Sequence, residues 1–159
     1  MTTNIFQIAE RHWAKGAPVD VQAIIREAGV EYKEMPKPSS VSGLIEAYGG
    51  GYRIVVNSDH SLVRRRFTAA HELGHYVYHR DIIGDGIVDD AAYRSERIGQ
   101  YGGKIRPEYE TQANRFAAII LMPTVLLDQL QAKQTPIPEM ARQLQVSVEA
   151  LRIRLGIAD

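Results

Sequence analysis

Two histidines four residues apart, His71 and His75, bracket a glutamate in the string His71-Glu72-Leu73-Gly74-His75. On a helix of about 3.6 residues per turn, positions four apart are separated by about 40° around the axis. Both imidazoles then reach one ion from one face. Imidazole is a good zinc ligand, with bonds of about 2.0–2.1 Å. Glu72 projects to one side, where a carboxylate holds water rather than the metal. Zinc lowers the pKa of water it binds from about 15.7 towards about 7. A neighbouring carboxylate then takes the proton and passes it to a leaving amine. The competing reading is a chance pair of structural histidines. The surrounding apolar helix argues against it, because imidazoles and a carboxylate in that setting need partners.

A catalytic zinc normally takes three protein ligands and one water. The chain has no cysteine, so the donors must be His, Asp, Glu or Tyr. Glu110, in Glu110-Thr111-Gln112-Ala113-Asn114, is a candidate third ligand on a later helix. Asn114, one turn on, is placed to accept a hydrogen bond from the non-ligating nitrogen of His71 or His75. Glu110 also fits a solvated acid near a helix start, and spacing leaves both readings open. His79 lies one turn beyond His75, but three ligands along one straight helix converge poorly, so a structural or substrate-facing role is favoured. Asp85, Asp89 and Asp90 read as solvated loop residues, and His12 and His60 as surface residues.

The elements that must position these groups follow from periodicity and caps. Residues 61–80 read as one helix capped by Ser61, with Val63, Phe67, Ala70, Gly74 and Val77 on one buried stripe. Residues 107–122 read as a second buried helix, ended by Pro123. The small residues Gly74, Ala113 and Ala117 would let the two helices approach closely. Before them come helices over 5–15 and 19–28, capped by Thr3 or Asn4 and stopped by Gly29, then a strand over 30–35. The runs 41–48 and 52–57, split by Gly49, Gly50 and Gly51, read as a hairpin. Residues 81–106 read as a long loop, the kind of segment that often carries function. Shorter helices are expected over 124–132, 137–145 and 148–155, the last capped by Ser147. The expected architecture is α+β, mostly helical, with a short antiparallel sheet and a C-terminal helical extension. It makes one domain over 1–159: helices over 1–29, sheet and metal helices over 30–123, and C-terminal helices over 124–159.

Composition narrows the partners. The 159 residues carry 19 Lys plus Arg against 19 Asp plus Glu, and 45% are hydrophobic. A neutral chain has no global attraction to nucleic acid or anionic membrane, although Arg64, Arg65 and Arg66 form a local basic run. No apolar run is long enough for a membrane span, and residues 1–15 do not resemble a signal peptide. A cytoplasmic location is the expectation.

The string Arg66-Phe67-Thr68-Ala69-Ala70-His71-Glu72-Leu73-Gly74-His75-Tyr76 is similar to the core of the ImmA/IrrE family of metallo-endopeptidases. So is Glu110 followed by Ala113-Asn114-Arg115-Phe116-Ala117-Ala118 and Leu121-Met122-Pro123. Ser42-Gly43, Val55-Val56-Asn57 and the tail from Val146 to Leu155 resemble it too. The resemblance implies a small zincin-like fold, with His71, His75 and Glu110 as ligands of Zn2+ and Glu72 as general base. It also implies action on a helix-turn-helix repressor or an antitoxin-like DNA-binding protein, relieving repression. Many members carry a fused helix-turn-helix domain. Only about 40 residues precede the hairpin here, too few for one, so the repressor is expected to be a separate chain.

A competing expectation is a zinc-stabilised toxin or binding partner with little peptidase activity. An open fourth coordination position separates the two. Residues 137–155 have helix-turn-helix lengths, yet their basic residues are only Arg142, Arg152 and Arg154, opposed by Glu139 and Glu149. Packing or partner docking is favoured over direct DNA readout. Candidate oxyanion donors are Tyr76, His79, Tyr93, Arg94, Arg97 and Tyr101.

Overall fold

The computed structural model describes residues 4–84, 86–90 and 107–157. Helices α1 (Ile5–Trp13) and α2 (Val21–Glu27) lead into strand β1 (Glu31–Met35). The hairpin follows as β2 (Val41–Tyr48) and β3 (Gly51–Asn57). Helix α3 (Leu62–Tyr78), the one-turn α4 (Arg80–Ile83) and strand β4 (Gly86–Asp90) come next. Four helices close the chain: α5 (Pro107–Leu121), α6 (Thr124–Ala132), α7 (Ile137–Leu144) and α8 (Val148–Leu155).

The caps that sequence picks out are in place. Asn4 accepts from the Phe6 amide, Ser61 from Arg64 and Ser147 from Ala150. Each satisfies a donor that the first helical turn leaves without an intrahelical partner.

The fold is α+β, and the sheet has the order β1-β3-β2-β4. It is mixed rather than antiparallel. β2 pairs antiparallel with both β3 and β4, but β1 pairs parallel with β3, Glu31 opposite Arg53 and Met35 opposite Asn57. Residue alternation reports which face a strand buries, not which neighbour it takes, so the direction of β1 was not readable. Strand β4 is a second correction. It lies within the stretch expected to be a loop, where Gly86 and two aspartates mask a five-residue strand. Its pairing with β2 carries an irregularity between Val41 and Gly43. Gly43 is required there: a Cβ would lie 2.7 Å from both Thr68 Cγ2 and the Val55 carbonyl oxygen. That contact seats β2 against α3.

The core lies between sheet and helices, around fully buried Ile45, Ile54, Leu73 and Ile120. Helix α3 packs on β2 and β3 on one side and on α5 on the other. This two-sided burial explains why every residue from Thr68 to His75 is buried. Trp13 ties the N-terminal helices on, its indole N–H donating to the Ile120 carbonyl at 2.9 Å.

The basic run does not act as a patch. Arg65 pairs with Glu34 at 3.1 Å. Arg66 turns inward and donates to the Gln145 and Leu144 carbonyls at the end of α7, where burial lowers its pKa. In the C-terminal pair, Arg142 binds Glu139, and Arg154 donates to the Met122 carbonyl at 3.0 Å. Among the described residues no helix is long and apolar enough to cross a membrane.

Candidate metal centre

Helices α3 and α5 make the site between them. At their crossing, a Cβ on Gly74 would come within 3.1 Å of Ala113 Cα and of Phe116 Cδ1. Those are tighter than ordinary contacts, and one neighbour is backbone. The missing side chain therefore sets how closely the helices approach. That distance brings Glu110 of α5 to the two histidines of α3.

The ligand-type atoms converge. His71 Nε2 and His75 Nε2 are 3.1 Å apart. His75 Nε2 lies 2.8 Å from Glu110 Oε1, and His71 Nε2 lies 3.3 Å from Glu110 Oε2. A tetrahedral ion with bonds of about 2.0–2.1 Å needs donors about 3.3 Å apart. The observed triangle is slightly compact for that ion and is otherwise suited to it. All three residues are buried, and among the described residues they form the one His/Asp/Glu group compact enough to hold a metal ion. Nitrogen and carboxylate donors suit Zn2+ and other divalent ions alike.

Glu72 is adjacent on α3 and wholly buried. An uncompensated carboxylate there is costly, so the cluster is electrostatically demanding. Around it the polar supports come from α5. Asn114 Oδ1 lies 2.7 Å from His71 Nδ1. A carbonyl oxygen accepts, so the His71 proton sits on Nδ1 and its Nε2 lone pair faces the cluster.

His79 falls where α3 breaks. Its backbone leaves the helix at φ −126° and ψ 19°, while its amide still donates to the His75 carbonyl. The helix read over 61–80 therefore ends at Tyr78. The His79 ring is buried, with Nδ1 2.8 Å from His75 Nδ1 and Nε2 2.8 Å from Gln112 Oε1. Burial lowers its pKa, partly offset by the Gln112 hydrogen bond. With both nitrogens engaged, His79 supports His75 and has no donor left for a substrate. Sequence reasoning missed Gln112. The signal was its placement two residues before Asn114 on the same helix.

The remaining sites separate. Tyr76 accepts from Arg80 through its hydroxyl at 3.3 Å and packs edge-on against Tyr52. Asp89 and Asp90 belong to β4. Asp85, Tyr93, Arg94, Arg97 and Tyr101 lie outside the described residues. His60, half-buried, bonds the Ser39 carbonyl. His12 is not on the surface as expected but buried, with its Nε2 against Glu27. His12 lies seven residues after Ile5, in the middle of the α1 face formed by buried Ile5, Ile8 and Ala9, and α2 packs against that helix.

An α+β domain whose two central helices bury a His-His-Glu cluster is the arrangement of a metal-binding domain. The chain belongs to the peptidase family described as the IrrE N-terminal-like domain, whose model matches residues 26–156. It is 33% identical over 103 residues to the radiation response metalloprotease IrrE of Deinococcus radiodurans, covering 61% of this chain and 28% of that protein. To the protein of the same name from Deinococcus deserti it is 35% identical over 99 residues, covering 59% of this chain and 32% of that protein. The match therefore spans about a third of the length of those relatives or less. In fold the chain is similar to a Mycobacterium tuberculosis transcriptional regulator, with a TM-score of 0.59 and 17% identity, over 96% of this chain and 47% of that one.

Proposed function

We propose that this protein is a zinc-dependent endopeptidase of zincin-like fold that cleaves a separate helix-turn-helix repressor or antitoxin-like protein. The observation that carries the reading is the convergence of two imidazole nitrogens and a carboxylate within 2.8–3.3 Å of one another, in the core of a domain from a peptidase family.

His71, His75 and Glu110 would hold Zn2+. The ion supplies Lewis-acid polarisation of the scissile carbonyl and acidifies water. The chain does the rest. Glu72, one residue from a ligand, takes the proton from the attacking water and returns it to the leaving nitrogen. Asn114 keeps His71 in the Nδ1–H tautomer, which turns the Nε2 lone pair toward the cluster. The gap at Gly74 keeps Glu110 within reach of both rings.

Substrate class rests on the family resemblance. The chain's neutral charge and the engagement of Arg142 and Arg154 within the protein favour a protein substrate over direct DNA contact.

One observation favours a second reading, a metal-stabilised partner protein with little peptidase activity. The candidate ligands are deeply buried, with His75 at 0% and Glu110 at 6% exposure. One experiment separates the two. Purified protein is assayed for bound metal, then incubated with candidate helix-turn-helix repressor proteins. Stoichiometric zinc with cleavage that Glu72→Gln abolishes is the expected result. Zinc retention with no cleavage by the wild-type protein would leave the partner reading standing.

A further inference from the structure

The three side chains Gln112, His79 and His75 form a single file of hydrogen bonds running from the surface to the cluster. Gln112 on α5 is exposed, and its Oε1 lies 2.8 Å from His79 Nε2. His79 Nδ1 lies 2.8 Å from His75 Nδ1. His75 Nε2 faces His71 Nε2 and Glu110. Each neutral imidazole has one donor and one acceptor nitrogen, so such a file has a direction. Gln112 sets one direction at the outer end, whereas the Glu110 carboxylate, 2.8 Å from His75 Nε2 and also an acceptor, favours the other until a cation takes the place of the proton there.

An amide oxygen only accepts. With Gln112 Oε1 against the ring, His79 must carry its proton on Nε2. Its Nδ1 is then an acceptor, and the proton between the two rings belongs to His75 Nδ1. That leaves a lone pair on His75 Nε2, the form a metal needs. Reversal follows from turning the amide over. Gln112 would then donate to His79 Nε2, His79 Nδ1–H would donate to His75 Nδ1, and His75 Nε2–H would point into the cluster, where it hydrogen-bonds Glu110 and cannot bind a cation.

We infer that Gln112 and His79 are positioning residues, a relay whose polarity favours His75 in the Nδ1–H tautomer that metal binding needs. The inference rests on the metal-centre reading and extends it. It also accounts for an asymmetry between the two ligand histidines. His71 meets an amide oxygen of α5 directly through Asn114, whereas His75 sits one helical turn further along and meets one only through a second imidazole. Both ligands are thus oriented from α5, the helix that also carries Glu110, so one helix brings the third ligand and both orienting carbonyls.

The test uses the full chain, in two parts. Long-range proton–nitrogen NMR of the metal-free protein reads the tautomers directly. His75 is expected as Nδ1–H and His79 as Nε2–H in the wild type, with an Nε2–H population of His75 appearing in Gln112→Met. Zinc affinity is then measured by competition with a chromophoric chelator. His79→Phe is expected to bind about 10–100-fold more weakly, with a smaller loss in the same direction for Gln112→Met. Gln112→Glu, which keeps an accepting oxygen, should retain the wild-type His75 tautomer. Gln112 is exposed, so its variants read the relay even if His79→Phe fails to fold. A wild-type His75 in the Nε2–H form, or tautomers and zinc affinity unchanged in Gln112→Met, overturns the relay and leaves the metal centre intact. A wild-type protein that takes up no divalent ion overturns the metal centre instead, while the tautomer measurement still judges the relay.

Discussion

Among the described residues, two places press an imidazole against a carboxylate inside a helical interface, and they do so with opposite consequences. His12 of α1 meets Glu27 at the end of α2. The imidazole is buried, but the Glu27 side chain is 43% exposed and also receives a hydrogen bond from Arg11. Water and a guanidinium share that negative charge, and nothing further is needed. At the α3–α5 crossing the carboxylate is itself buried, a second imidazole converges on it, and Glu72 adds another carboxyl group. Burying a charge costs several kcal/mol unless it is compensated. What separates a cation site from an ordinary pair is the number of donor lone pairs held away from solvent. Proximity of His to Glu alone does not make one.

The strongest way to break that contrast is to remove a ligand from one side and its counterpart from the other. Glu110→Ala and His71→Ala should lose stoichiometric metal, measured by elemental analysis, and with it all detectable cleavage. His12→Ala should keep both. Metal loss in His12→Ala would show that the two pairs are not distinct.

Next in size, Glu72→Gln should keep the metal while cleavage falls by about 10²–10⁴-fold, the usual contribution of a general base. An unchanged rate in a metal-loaded Glu72→Gln protein removes Glu72 from proton transfer.

A moderate effect is expected at the helix crossing. Gly74→Ala gains about 1 kcal/mol of helix propensity. It also forces a methyl group against the Ala113 backbone, and overpacking of this kind costs about 1–3 kcal/mol. The melting temperature should fall by a few degrees, and metal affinity should fall with it as Glu110 is pushed away. A rise in both would mean that the helices separate without cost.

The smallest effect sharpens the other half of the comparison. The His12 hydrogen bond, with Arg11 beside it, holds the Glu27 carboxyl below its ordinary value of 4.5. A carboxyl depressed in the folded state stabilises the protein above the unfolded pKa, and that contribution disappears as pH falls through the folded value. Glu27→Gln should therefore be less stable than wild type near neutrality, with the gap closing in acid. Denaturant titrations at several pH values measure it. A gap that persists below the folded value would assign the loss to packing.

Much of this organisation was legible before any coordinates. The His71–His75 spacing, the caps at Asn4, Ser61 and Ser147, and the helix ends at Gly29 and Pro123 are local, set by backbone hydrogen bonding within a few residues. Strand β4 was hidden because its glycine and aspartates imitate a loop, and only pairing with β2 makes it a strand.

What the sequence by itself determined was a pair of imidazoles on one helix face, a flanking glutamate, and an acid–amide pair on a later helix, because the α-helical period alone relates those positions. Tertiary structure decided the rest. The parallel seating of β1, the covering of His12, the contact of Gly74 with Ala113 and the meeting of Glu110 with both rings each join segments far apart in the chain. Their geometry depends on how whole elements pack, and no local rule of residue spacing encodes that.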